Sequence, residues 1–168
     1  MSKYIIYTTA YNAEKTIRRA IDSVLNQTHT DFIYYVLDNA ATDSTYEIIK
    51  EYAKHDKRIV PLHNEKSWGG NGIYEVLKNY SKDCYFCALD ADDEYAPDFL
   101  EKMLLFIKNE NLDIAACGSN FVDMQTNKHL GMRLLKNNLI LDGEEFDRYF
   151  PTYHQFMRTI WGKVYSVS

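Results

Sequence analysis

Short apolar segments alternate with helical patterns along most of the chain, and this alternation restricts the fold more than any other feature of the sequence. Each apolar segment is followed by a stretch with the apolar spacing of a helix. This order predicts an α/β fold with a mostly parallel sheet, right-handed crossovers and helices on both faces. The four predicted strands are Tyr4 to Thr9, Ile33 to Leu37, Arg58 to His63 and Cys84 to Leu89.

Local signals mark where three of the helices are expected to begin. The first helix has an apolar face from Ile17 to Leu25, and Asn12 is its expected N-cap. Ser44 and Glu47 have the spacing of a capping box for the second helix. Pro97 suits the first turn of the fourth helix.

The remaining elements have weaker patterns. A short helix is predicted from Ile73 to Tyr80, after a polar stretch that contains three glycines. Leu112 to Cys117 has the pattern of a fifth strand. Beyond Gly118 the expected elements are a hairpin at Asn120 to Gly131, a short helix at Asp142 to Phe150 and a strand at Trp161 to Val167.

The charge balance argues against a protein that works on nucleic-acid phosphates, because 19 Lys and Arg are outnumbered by 24 Asp and Glu. We find no apolar run of membrane-spanning length, no signal-like N-terminus and only three cysteines, which predicts a cytoplasmic chain without a transmembrane segment. Cys84 and Cys87 fall in a predicted strand, where alternation places the two thiols on opposite faces. This favours buried strand cysteines over a redox pair.

Polar residues follow the predicted strands where their carboxyl ends meet at one edge of the sheet. Thr8-Thr9, Asp38-Asn39 and an acidic run from Asp90 to Glu94 occupy these positions. Asp90 and Asp92 are spaced to engage Mg²⁺ or Mn²⁺, whose other ligands are water and phosphate oxygens, and such a site holds a diphosphate. The alternative is a solvated acidic turn, which is favourable before a helix.

Other nucleotide- and phosphate-binding classes fit less well. The first strand is followed by TTAYNA, which lacks the glycines of a dinucleotide-binding fingerprint. The glycines near residue 70 are not followed by the Lys-Ser/Thr of a P-loop. A dehalogenase-like phosphatase remains a minor rival, although its D-x-D pair normally closes the first strand.

Three ordered stretches together resemble the family-2 inverting glycosyltransferases with the GT-A fold. They are TTAYNAEKTIRRAIDSVLNQTHTDF, VLDNAATDSTYEIIKEYAKHDKRI and LDADDEYAPDFLEKML. WGKVY at Trp161 to Tyr165 is similar to a Trp-x-Lys-x-Tyr stretch of many bacterial members. The resemblance implies a Rossmann-like nucleotide-sugar-binding core over residues 1–118 and the start of an incomplete acceptor-side portion over residues 119–168.

The resemblance also implies a function and a donor site. The implied reaction is transfer, with inversion, of a sugar from a nucleoside diphosphate, UDP in the first instance, to a glycan or lipid-linked acceptor. Asp90 is expected near the ribose or sugar and Asp92 on Mn²⁺ or Mg²⁺, while peripheral membrane association follows from the family's lipid-linked acceptors. The implied donor-binding residues are Thr9, Tyr11, Asp38, Asn39, Asp90 and Asp92.

The chain departs from the family pattern near the donor. Asn39 stands where the family usually has a second Asp that meets the base, which leaves the base preference open. Residues 67–83 contain no Arg for the diphosphate, so Lys78 or Lys82 is the substitute. Trp68 is a candidate lid or acceptor contact, or an anchor for its loop.

The catalytic base is the largest departure. In the family it comes from an Asp downstream of the Trp-x-Lys-x-Tyr stretch, which would lie beyond Ser168. The candidates within the chain are Asp123, Glu145 and His154. An alternative function is therefore a non-catalytic or fragmentary nucleotide-sugar-binding module.

Overall fold

A computed structural model describes residues 3–67, 72–80 and 84–167. Within these ranges the strands and helices alternate as predicted through the first four units. The elements are β1 (Lys3–Ala10), α1 (Ile17–Leu25), β2 (Phe32–Asn39), α2 (Thr45–His55), β3 (Ile59–Asn64), α3 (Gly72–Leu77), β4 (Cys84–Ala88), α4 (Phe99–Asn109), β5 (Ile114–Ala116), β6 (Ser119–Val122), β7 (His129–Arg133), α5 (Phe146–Met157) and β8 (Lys163–Val167).

The central sheet has six strands in the order β3-β2-β1-β4-β8-β5. The first four of these strands are mutually parallel, which confirms the predicted α/β architecture. β8 is antiparallel to both β4 and β5, so the strand that is last in sequence lies inside the sheet. β6 and β7 form the separate hairpin that the sequence predicts.

β1 is central and is buried on both faces, as its continuous apolar pattern requires. Its alternate side chains divide between two cores. Tyr4 and Ile6 pack in a core with α1, α2 and α4, while Ile5 and Tyr7 pack on the other face in a core that includes α3. Helices therefore cover both faces of the sheet, as predicted.

The predicted N-cap of α1 is wrong, because the N-cap residue is Thr16 rather than Asn12. Ser44 is the N-cap residue of α2, as predicted, but among the described residues neither Thr16 nor Ser44 makes a side-chain cap bond. Asn12 instead adopts a left-handed conformation, and its Oδ1 accepts a 2.8 Å hydrogen bond from the amide of Thr42. At α2 it is Asp43 that accepts hydrogen bonds from the amide and hydroxyl of Thr45, which replaces the expected capping box.

Two predicted helices have different bounds. α3 ends at Leu77 rather than Tyr80. α5 spans Phe146–Met157 rather than Asp142 to Phe150. Asp142 precedes the helix because its Oδ1 accepts the amides of Glu144 and Glu145 at 3.1 and 3.2 Å in a local turn.

Cys84 and Cys87 lie on opposite faces of β4, as the strand periodicity predicts. Cys84 packs beside the core that includes α3, and Cys87 is fully buried in the other. Burial raises the pKa of the Cys87 thiol to about 12. The structure therefore supports a structural role for Cys84 and Cys87 in the strand rather than a redox pair. In the described ranges, none of the helices combines the length and apolar character needed to cross a bilayer.

Gly118 allows the hairpin to pack closely beside the end of β5. A methyl group on Gly118 would stand 2.6 Å from the carbonyl oxygen of Arg133 and 3.1 Å from Cβ of Leu134. We expect Gly118→Ala to lower the free energy of unfolding by about 1–3 kcal/mol, since backbone must move. Urea unfolding measures this loss. Gly143→Ala is the control, because nothing lies within 4 Å of its added methyl group, and equal losses in both variants would contradict the packing argument.

Candidate functional site at the carboxyl edge of the sheet

Four parallel strands end at the same edge of the sheet, and their register brings the predicted site residues together. Ala10 at the end of β1 pairs with Asp38 of β2, and Asp38 pairs with His63 of β3. On the other side of β1, Tyr7 pairs with Ala88, the last residue of β4. The loop that begins with Leu89 and Asp90 therefore leaves the sheet beside β1.

The loop after β4 concentrates negative charge. One carboxylate oxygen from each of Asp90, Asp92 and Asp93 lies within 4.8 Å of the others. Desolvation and the Asp92 carboxylate raise the pKa of Asp90. Desolvation and both neighbouring carboxylates raise the pKa of Asp93 to about 6, against the opposing effect of Arg19. Repulsion of this kind is relieved by a cation.

The donor set fits a hard divalent cation. Three carboxylates offer only oxygen atoms, which Mg²⁺ and Mn²⁺ prefer, and Asp90 and Asp92 are exposed enough to accept further ligands from water or phosphate. Arg19 of α1 lies behind this loop, with Nε 3.1 Å from the Glu94 carboxylate. Its Nη2 also approaches the carbonyl of Asp92 at 3.4 Å. The guanidinium thus contacts the edge of the loop.

The hydroxyl groups of Thr8 and Tyr95 hold the end of β4 through buried hydrogen bonds to its backbone. Thr8 Oγ1 donates to the carbonyl of Leu89 at 2.8 Å, and because its one hydrogen is then used, the hydroxyl of Tyr34 donates to Thr8 at 2.8 Å. The hydroxyl of Tyr95 donates to the carbonyl of Ala88 at 2.7 Å. These buried bonds fix the backbone from which Asp90 emerges. Thr8 is one of the polar strand-end residues that the sequence indicates, but its role as a positioning residue, like that of Tyr95, is visible only in the structure.

A row of polar side chains crosses the ends of β2 and β3. The Asp38 side chain is fully buried, and its Oδ2 lies 2.7 Å from Nδ1 of His63. The other Asp38 oxygen accepts the amide of Ala41 at 3.2 Å. His63 stacks on Tyr46 with ring centroids 4.5 Å apart. The parallel register of β2 and β3, rather than any motif, brings His63 to Asp38.

Asn39 is also engaged in this row. Its Oδ1 accepts from Asn64 at 3.1 Å, and its Nδ2 donates to Ser67 at 3.2 Å. The next residue, Ala40, has φ of +63°, a conformation that costs a residue with a Cβ about 1–2 kcal/mol. The loop after β2 therefore keeps a tight left-handed turn with alanine in the position that favours glycine.

Thr9 and Tyr11 extend from the end of β1, between the acidic loop and the polar row. Both side chains are exposed, and Tyr11 keeps 57% of its surface accessible. The structure thus places all six predicted donor residues on loops and strand ends of one edge. Their role as donor contacts stays a prediction.

The other candidate residues have local partners or lie outside the described ranges. Lys78 is exposed and forms an ion pair with Glu75. Asp123 accepts the amide and hydroxyl of Thr126, and these hydrogen bonds lower its pKa. His154 stacks on Phe150, and Glu145 is the N-cap residue of α5. Trp68, Lys82 and Ser168 lie outside the described residues. The identity of the catalytic base stays open.

The Trp-x-Lys-x-Tyr stretch connects α5 to the central sheet. Trp161 forms a parallel bridge with Ala88, two residues before Asp90. Lys163 is almost fully buried and its Nζ donates to the carbonyls of Thr159 and Trp161. Burial lowers the pKa of this amine. This stretch therefore fixes the chain beside the acidic loop.

An open, mostly parallel sheet with polar loops at its carboxyl edge places the protein among α/β domains that bind ligands at that edge. The chain belongs to glycosyl transferase family 2, whose family model matches residues 5–164. It is 34% identical over 125 residues to an uncharacterized glycosyltransferase of Methanocaldococcus jannaschii, covering 73% of this chain and 43% of the relative. It is 30% identical over 113 residues to the putative teichuronic acid biosynthesis glycosyltransferase TuaG of Bacillus subtilis, covering 67% of this chain and 45% of TuaG. The chain thus spans less than half the length of these relatives.

Solved structures confirm the GT-A-like fold. The fold matches S. aureus TarS 1–349 with a TM-score of 0.73 at 20% identity, covering 98% of this chain and 47% of TarS 1–349. TarS 1–349 in complex with UDP matches with a TM-score of 0.65 at 19% identity and the same coverage. A mannosyltransferase from Pyrobaculum calidifontis in complex with GDP-Man and Mn²⁺ matches with a TM-score of 0.60 at 18% identity, covering 68% of this chain and 34% of the mannosyltransferase.

Proposed function

We propose that this chain binds a UDP-linked sugar through a divalent cation and transfers the sugar, with inversion, to a glycan or lipid-linked acceptor. The observation that carries the proposal is the convergence of Asp90, Asp92 and Asp93 within 4.8 Å at the carboxyl edge. Membership of glycosyl transferase family 2 favours sugar transfer as the reaction.

The polar row on β2 and β3 is the proposed binding site of the nucleobase. Uracil presents both donors and acceptors, and an asparagine side chain offers both as well. The role of Asn39 is thus compatible with UDP although the family commonly has Asp there. TarS, which has a similar fold, forms a complex with UDP. We assign Tyr11, which is exposed just after β1, to a contact with the nucleotide.

Asp92, with Asp90, would hold Mn²⁺ or Mg²⁺ against the diphosphate. Bound there, the cation supplies positive charge that stabilises the departing nucleoside diphosphate. The Mn²⁺ complex of the Pyrobaculum mannosyltransferase supports this assignment. Thr8 and Tyr95 hold the backbone before Asp90, and Arg19 contacts the loop from α1.

In the proposed reaction an acceptor hydroxyl attacks the anomeric carbon from the face opposite the diphosphate. The new glycosidic C–O bond forms as the bond to the diphosphate oxygen breaks, and the hydroxyl proton goes to a base. The name of TuaG supports cell-surface polysaccharide as the acceptor class. The proposed place of work is the cytoplasmic face of the membrane, with peripheral association.

A turnover assay separates this function from its alternatives. The chain, beside a longer form that extends past residue 168, is incubated with UDP-sugars, Mn²⁺ and an acceptor glycan, and released UDP is measured. We expect acceptor-dependent UDP release. Nucleotide binding without release by either form would support the binding module instead. Phosphate release from sugar phosphates without acceptor would support the phosphatase.

A further inference from the structure

A second concave surface lies between the β6–β7 hairpin and the end of α5. We call it the hairpin groove. It has a volume of about 670 Å³, and its lining includes Phe121, Arg133, Leu134, Arg158 and Thr159. The groove combines apolar surface from the hairpin with two guanidinium groups. None of the predicted donor residues lines it.

The groove is positively charged although the chain has a net charge of −5. Among the residues that the structure describes, no Asp or Glu lines it. Within the described part of the chain, neither Arg133 nor Arg158 has a carboxylate within 4.0 Å. Two uncompensated guanidinium groups in one groove attract an anion, and planar guanidinium matches carboxylate and phosphate in particular.

Arg133 is held in place before any ligand binds. Its Nη1 donates to the carbonyl of Gln155 at 2.6 Å, and its Nη2 donates to the hydroxyl of Ser119 at 3.2 Å. Its guanidinium carbon lies 5.3 to 5.7 Å from the ring centroids of three aromatic residues. Its Nε is buried and has no hydrogen-bond partner in the described ranges. The three rings belong to Phe121, Phe156 and Trp161.

The groove is next to the carboxyl edge. Trp161, whose ring contacts Arg133, pairs through its backbone with Ala88 at the end of β4. The acidic loop begins two residues later, at Asp90. A negative loop suited to a cation and a positive groove suited to an anion therefore both adjoin the end of β4.

We propose that the hairpin groove binds a carboxylate or phosphate group carried by the acceptor glycan, so that the acceptor is an anionic polymer. This inference rests on the proposed transferase function. Arg158 and Arg133 pair with the anionic group, while the exposed apolar surfaces of Phe121 and Leu134 contact the adjoining sugar ring. The anionic group adds affinity and fixes the register of the acceptor.

The test is a calorimetric titration of the chain with three hexamers at low salt. They are a hexasaccharide of alternating uronic acid and N-acetylhexosamine, a glycerol phosphate hexamer and the neutral chitohexaose. We expect at least one anionic hexamer to bind about tenfold more tightly than chitohexaose, which corresponds to one charge-assisted contact. Comparison of the two anionic hexamers distinguishes carboxylate from phosphate.

Arg158→Glu supplies the decisive variant, because Arg158 is exposed and its replacement does not disturb the core. We expect at least about a tenfold loss for the anionic hexamer and no change for chitohexaose. Arg148→Glu is the matched control on the exposed surface of α5, outside the groove lining. Equal losses in both variants, equal binding of charged and neutral hexamers, or no hexamer binding would overturn the proposal.

A parallel titration with UDP and Mn²⁺ separates this proposal from the donor assignment. Intact UDP binding with no hexamer binding rejects only the anionic-acceptor groove. Hexamer binding that depends on Arg158, with no UDP binding, supports the groove as an anion site and rejects the donor site.

Discussion

Replacing Asp92 by Asn is expected to lower the Mn²⁺ affinity of this protein about a hundredfold and to remove metal-dependent UDP binding. The substitution keeps the shape of the side chain but removes one negative charge from a three-carboxylate cluster. The Asp92 contact to Arg19 uses the backbone carbonyl, which the variant retains. Titration of free Mn²⁺ by electron paramagnetic resonance measures the loss separately from nucleotide binding.

The matched control is Asp113→Asn. Asp113 is exposed, lies just before β5 and is outside the acidic loop. It removes the same charge from the chain, so any general electrostatic effect on Mn²⁺ is shared by the two variants. Similar Mn²⁺ affinities in Asp92→Asn and the wild-type chain would show that the acidic loop is the solvated turn of the alternative interpretation.

Thr8→Val keeps nearly the same side-chain volume, but it is expected to lower the stability of the protein and to disturb the geometry of the site. It leaves the Leu89 carbonyl and the buried Tyr34 hydroxyl without their partner. Each buried polar group left unpaired costs about 1–3 kcal/mol, so for these two groups the expected loss in the free energy of unfolding is about 2–6 kcal/mol. Because Leu89 precedes Asp90, we also expect Mn²⁺-dependent UDP affinity to fall about tenfold.

Urea unfolding and calorimetry on the same samples measure the two effects. Thr30→Val is the stability control, since Thr30 is exposed, lies before β2 and is outside the hydroxyl network, and we expect its unfolding free energy to stay within about 0.5 kcal/mol of wild type. Unchanged stability in Thr8→Val would mean that the hydroxyl network does not hold the end of β4.

The alternation of strands and helices could be predicted because each element carries its own periodicity. The apolar face of α1 and the continuous apolar run of β2 are local properties of the sequence. The position of β8 between β4 and β5 could not be predicted in this way. A strand's place in a sheet depends on pairing across the whole chain, and β8 is too short for its pattern to specify a neighbour.

The Asn12 cap and the capping-box hydrogen bonds of Ser44 were predicted wrongly for a related reason. Asn12 and Ser44 are good caps by residue type and spacing, but the loops after β1 and β2 lie side by side. Asn12 therefore bonds to Thr42, and Glu14 accepts the amide of Ser44. Contacts across 30 residues replaced local ones, and no short motif records such competition.

The charged residues of the candidate site could be predicted from the sequence. The residues that hold them in position through hydrogen bonds could not be predicted as well. The spacing of Asp90 and Asp92 after a buried strand indicated the acidic loop, to which the structure adds Asp93. The pairing of Asp38 with His63 follows once β2 and β3 are aligned in parallel register. The role of Thr8 required knowledge that β2 and β4 flank β1, because its partners Tyr34 and Leu89 come from β2 and from the residue after β4.

The most direct test of the donor site is a calorimetric titration of the wild-type chain with UDP, with GDP as the comparison, in the presence of Mn²⁺ and again with excess EDTA. We predict micromolar binding of UDP with Mn²⁺ and a loss of at least about tenfold when the cation is removed. UDP binding of equal strength with and without Mn²⁺, or no binding of either nucleotide, would contradict a metal-dependent donor site at the carboxyl edge.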